Sequence, residues 1–171
     1  MPRRFFRRFT WKRHRFHGRW WLAPFEPLLH DPRLWGIRRR NVVPGAALGT
    51  FIACLPLPGQ MLFAALGAIL LRIHVPAAAL VTLVTNPLTM GPLFYLEYRI
   101  GQHLLGLGPR PFAFEPSLEW LTGSFLAVWQ PLLLGAVLLG AVAAALVYVV
   151  LDLLWRAAIA DYLEKRRQRR R

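Results

Sequence analysis

Three stretches of the chain contain no Asp, Glu, Lys or Arg: Val42–Leu71, Ala77–Leu96 and Phe125–Leu151. Uncharged apolar runs of about 18 residues or more are candidates for crossing a bilayer. The third run is unbroken apart from Pro131, close to its start where a missing donor costs least. Its 27 residues make about 40 Å of helix and predict one full span over 125–151. The pattern predicts a helix continuing through DLLWRAAIADYLEKRRQRRR as a cationic extension.

The first two runs are interrupted. FIACLPLPGQMLFAALGAILL places Pro56, Pro58 and Gly59 at its centre, leaving two half-helices, Val42–Leu55 and Gln60–Ile73. At 14 residues each half reaches about 21 Å, short of a hydrocarbon core of about 30 Å. Two readings follow. The halves fold back as a hairpin that returns to its starting face, or they form one kinked, tilted span. Lipid cannot satisfy the backbone groups freed at such a break, so a hairpin tip must be buried in protein or face a wet cavity. The second segment is interrupted at Asn86-Pro87 and at Gly91-Pro92. Aligning Pro56 on Pro87, an offset of 31 residues, lays PLPGQMLF over PLTMGPLF and suggests a weak internal repeat. The fold expected is an all-α integral membrane protein with broken, re-entrant helical hairpins at 42–74 and 75–106. A periplasmic connection at 107–124 and the span 125–151 complete the membrane domain of 41–151.

Charge sharpens this picture. Residues 1–40 hold 12 Lys or Arg against Glu26 and Asp31, and residues 152–171 hold 7 against Asp152, Asp161 and Glu164. A net charge of +14 suits a nucleic-acid binder, but here the cations flank apolar runs, where the positive-inside rule puts them. The expectation is an inner-membrane protein with both termini cytoplasmic, binding anionic lipid headgroups and no nucleic acid. Within residues 1–40, Phe5, Phe6, Phe9, Phe16 and Trp20 share one helical face opposite Arg7, Arg8, Lys12, Arg15 and Arg19, the pattern of an interfacial helix. Residues 152–171 form a basic cytoplasmic tail.

Few polar residues lie near the breaks. Gln60, Asn86 and Thr89, with Thr82 and Thr85, either line a polar substrate cavity or satisfy one another and the freed backbone. Glu97 is an ionisable group at membrane depth or at its boundary, and joins the candidate substrate site. Arg99 beside Tyr95 and Tyr98 reads as an interfacial charge in an aromatic belt. Small residues recur at spacing four, Gly45 and Gly49 in one segment and Ala136, Gly140 and Ala144 in the last span. Such stripes let helices approach closely, joining either the hairpins to the last span or two copies of the chain. Ser117 in EPSLEW reads as a helix N-cap.

No nucleophile elbow, phosphate loop, HExxH or close carboxylate pair is present, and Cys54 stands alone, so no enzyme, cofactor or metal site is expected. The block Pro44–Phe51, the Pro-x-Pro-x-Gln turn Pro56–Gln60 and Asn86-Pro87-x-Thr89 resemble the bacterial membrane family filed as "domain of unknown function 2062", over about residues 38–151. His74 stands where many relatives would have asparagine. The resemblance implies a small inner-membrane protein without assigned activity, whose relatives are in places joined to sugar- or lipid-modifying enzymes. Paired broken hairpins are also similar, at the level of fold, to DedA-type lipid-handling proteins. Two functions compete. One is a transporter or lipid-handling protein with a midplane site where the broken segments meet. The other is a non-transporting scaffold that recruits an envelope-biogenesis enzyme through its basic ends.

Overall fold

The computed structural model describes residues 31–108 and 124–168, and in the last helix the side chains from Val128 onward. The interfacial helix expected near the start, the Ser117 cap and most of the 107–124 connection lie outside these residues. Among the described residues the regular elements are all helical. They are α1 (Pro32–Trp35), α2 (Arg39–Cys54), α3 (Gln60–Leu70), α4 (Val75–Val81) running into a 3₁₀ turn (Thr82–Val84), α5 (Pro87–Leu104) and α6 (Ser124–Gln168).

Pro56 ends α2, because a residue before proline is pushed out of the helical region, and Leu55 is extended at φ −78°, ψ 135°. Gly59, at φ 73°, then supplies the left-handed step that starts α3. Helix α3 runs back along α2, with Gly67 against Leu48. Ile52, Ala64, Ala68 and Ala78 form the buried core of this unit. At its open end the His74 N–H donates to the Asn41 carbonyl at 3.2 Å, so the chain returns to where α2 began. The first broken segment is therefore a helical hairpin by its contacts.

Helix α4 then lies on the same hairpin. The Gly45 and Gly49 stripe faces His74 and Ala78, and a Cβ on Gly49 would overlap the Ala78 carbonyl oxygen. This seat differs from the two expected, since the stripe joins α2 to α4 and not to the last span or a second copy. The second break falls at Thr85-Asn86 and turns the chain through 84° into α5. It is an elbow and not a second hairpin. Gly91 and Pro92, expected as a break, lie inside α5. Pro92 is the sixth residue of α5 and Pro44 the sixth of α2, and each removes one ladder hydrogen bond without ending its helix.

Helix α6 has 45 residues, about 68 Å, so the extension through the charged tail is present. From Val128 it is long and apolar enough to cross a membrane, and most of its apolar surface is not covered by the rest of the chain. Both α2 and α5 pack along it in the opposite direction. Arg39 pairs with Asp152 at 2.6 Å while Phe51 and Cys54 meet Gly140. Glu97 meets Gly135 and Gly101 meets Pro131. Phe94, Tyr98 and Leu132 form the buried core of the α5–α6 pair. In the second small-residue stripe, Ala136 and Gly140 are buried and Ala144 is half-buried.

His74 holds the hairpin's open end together. Its Nδ1 accepts from the Ala77 N–H at 3.0 Å, capping α4, which requires the neutral ring. Burial holds the imidazole below its ordinary pKa, more strongly than a hydrogen bond to the Trp35 backbone raises it. The unfolded ring takes up a proton below about pH 6.5 while the folded ring resists, so stability falls as pH drops through that value. Thermal unfolding in detergent at pH 7.5 and pH 5 should show this acid loss. The variant His74→Asn, which keeps a capping oxygen without titrating, should lessen it.

Candidate functional site

The two breaks meet at one carbonyl. Gln60 Nε2 donates to the Leu55 oxygen at 2.7 Å and to the Ala53 oxygen at 3.3 Å. Thr85 Oγ1 donates to the same Ala53 oxygen at 3.1 Å and to the Thr82 oxygen at 3.1 Å. Pro56, Pro58 and Gly59 shape the first turn, with Pro56 buried and the other two exposed. Two carbonyls left open at the end of α2, those of Ala53 and Leu55, are thus partnered, the first from both segments, as a break inside an apolar setting requires.

Asn86 caps α5. Its side-chain oxygen accepts from the Leu88 and Thr89 N–H groups at 2.9 and 3.2 Å, and Thr89 Oγ1 accepts from the Asn86 N–H at 2.9 Å. Pro87 occupies the first helical position, where its lack of an N–H is harmless. This reciprocal box fixes the exit angle of the elbow. Asn86 and Thr89 are brought together, and Gln60 reaches the elbow through the shared Ala53 carbonyl. Glu97 is two turns further along α5, fully buried at 0% exposure, and both its carboxylate oxygens lack a hydrogen-bond partner. Arg99 is exposed and lies over the Tyr95 ring at 6.0 Å, whereas Tyr98 is buried.

Between α2, the elbow, α5 and α6 lies a half-open cavity of about 570 Å³, with Val84 and Val150 on its exposed rim. Ala46, Thr50, Ala53 and Cys54 line it from α2; Val81, Val84 and Thr85 from the elbow; Thr89 and Leu93 from α5; Val147, Val150 and Leu151 from α6. Its volume falls within the roughly 300–1,000 Å³ of small-molecule sites. The wall is apolar. Each of its three hydroxyls donates to the backbone: Thr50 to the Ala46 oxygen at 3.0 Å, Thr85 as above, and Thr89 to the Val84 oxygen at 3.0 Å. No hydroxyl proton is left for a polar solute. Of the residues expected to bind substrate, Thr89 alone lines the cavity, while Gln60, Asn86 and Glu97 do not.

Sequence reasoning passed over Thr50, Cys54 and the α6 residues as lining groups. The spacing of Val147, Val150 and Leu151 is helical, but it is indistinguishable from the lipid-facing pattern of any span. Only the packing of α2 and α5 against α6 separates the two faces.

These features define an all-helical bacterial-type membrane candidate, with one long apolar helix and a broken-helix unit packed on its side. The chain belongs to the family described as "Uncharacterized protein conserved in bacteria (DUF2062)", whose model matches residues 22–163. None of the curated proteins and none of the solved structures matches it.

Proposed function

We propose that this protein is a multi-pass inner-membrane lipid-handling protein, in which the α2–α3 hairpin is re-entrant and the neighbouring cavity takes an acyl chain. The observation that carries the reading is the cavity wall, apolar throughout, with its threonine hydroxyls turned to the backbone. A site for a polar solute would present unsatisfied donors, and a site for a hydrocarbon tail presents none.

Charge supports the re-entrant placement. Arg38 and Arg40 are exposed at the start of α2 and Arg72 is exposed where the chain returns. Asp152 bridges Arg39 and Arg156 at 2.6 and 2.7 Å beside them. These charges gather at one end, while the turn Leu55–Gly59 at the other end has none. Helix α2 spans about 24 Å, which takes it into a bilayer without crossing it. The α4–α5 elbow and α6 then supply two crossings, leaving both termini on the cytoplasmic side. Arginines at that face suit the phosphate of the lipid whose tail occupies the cavity.

The test uses vesicles of phosphatidylglycerol and phosphatidylethanolamine containing a phosphatidylglycerol with a photoactivatable acyl chain. Irradiation should label peptides carrying Thr50, Thr89 and Leu93. Val147→Trp, which fills the cavity from α6, should reduce that labelling several-fold while labelling of the outward residues Leu138 and Val142 persists. Equal labelling of the cavity residues in both proteins would refute the acyl site.

A further inference from the structure

We propose that Glu97 is a proton-binding site of the membrane domain, and that the α5–α6 seam opens when its proton leaves. The position goes beyond the acyl cavity and does not depend on it. Glu97 is 0% exposed, and neither carboxylate oxygen has a hydrogen-bond partner. An ionised carboxylate buried without a partner is among the most costly arrangements in a protein interior, more so at membrane depth.

The packing narrows what can satisfy the group. Gly135 of α6 is pressed so closely on the Glu97 backbone that a Cβ there would overlap the Glu97 carbonyl oxygen. One turn along, Gly101 meets the Pro131 carbonyl in the same manner. A cation such as Ca²⁺ requires six or more oxygen ligands, and among the described residues no cluster of three or more His, Cys, Asp or Glu comes together around Glu97 to begin such a set. The chemical species that fits without moving a helix is a proton on the carboxyl oxygen.

Among the described residues, the groups facing Glu97 offer no countercharge. From α2 the titratable neighbour is Cys54, within electrostatic reach and also part of the cavity wall. From α6 the residue against Glu97 is Gly135, and the neighbouring buried residues Leu132 and Ala136 are not ionisable. On α5 itself, Arg99 is exposed over Tyr95 and Tyr98 is buried in the apolar core. Loss of the proton to water therefore creates a carboxylate that only water can stabilise. The carboxylate is fully buried, so water reaches it only if packed helices part, and α5 and α6 meet at the Glu97 backbone itself. Because the seam is held by glycine contacts, a small separation forfeits most of the close packing, which gives two discrete arrangements.

The experiment places the protein, in a Cys54→Ala background, in lipid nanodiscs. Infrared titration should show a carboxylic-acid C=O band that disappears as pH rises and is missing from Glu97→Gln at every pH. Spin labels at Leu104 on α5 and Trp129 on α6, both exposed, should move apart over the same pH range. In Glu97→Gln their distance should stay constant, and Glu97→Met serves if the glutamine variant does not fold. A band that survives in Glu97→Gln, or a pH-dependent distance of equal size in the neutral variants, would overturn the proposal. Acyl-chain labelling is read separately, so failure here leaves the cavity reading intact and the reverse also holds.

Discussion

Gly135→Leu is expected to destabilise the protein by about 3 kcal/mol, the upper part of the usual overpacking range. The new side chain would start inside the Glu97 backbone, and a helix backbone cannot rotate away as a flexible side chain does. Helices α5 and α6 must part, and the buried cluster of Phe94, Tyr98 and Leu132 parts with them. Val137→Leu, two residues on but 45% exposed, is the control and should change stability by less than about 0.5 kcal/mol. Reversible unfolding in mixed micelles, followed by circular dichroism, measures both.

Gln60→Ala is expected to cost about 2 kcal/mol, because it strips a donor from two carbonyls at the end of α2 that lipid cannot replace. Thr85→Val removes the second donor to the Ala53 oxygen. If that carbonyl ties the two broken segments together, the double variant should depart from additivity by at least about 0.5 kcal/mol. Additive losses would mean that the segments are secured independently.

Much of this architecture was written in local chemistry. Pro56 ends α2 and Gly59 starts α3, while Asn86-Pro87-x-Thr89 carries its own capping box, so both breaks could be placed from the residues alone. The charge-free run of α6 announced its length and apolarity. The direction of each break could not be read. A proline interrupts a helix without stating whether the chain folds back or turns through a right angle, and the contacts of α4 decide that. Gly91-Pro92 misled for a related reason, since a proline inside a helix removes one ladder bond but does not by itself end the helix.

The site was less legible. Gln60, Asn86 and Thr89 are polar residues near breaks, and their polarity reads equally as a ligand site or as backbone repair. The structure gives them backbone partners. An apolar cavity has no sequence signature of its own, because Val147 and Leu93 look the same whether they face a cavity, a neighbouring helix or lipid. Glu97 was visible as an unusual charge, and its lack of a partner needed the fold to be seen.

Sided thiol labelling tests the re-entrant hairpin most directly. Single cysteines at Arg40, Pro58 and Arg72, each in a Cys54→Ala background, would be treated with a membrane-impermeant reagent in right-side-out and inverted vesicles. Arg40→Cys and Arg72→Cys should react from the same, cytoplasmic, face, and Pro58→Cys should react from neither. Reaction of Arg72→Cys from the face opposite Arg40→Cys would contradict it, since the first broken segment would then cross the membrane.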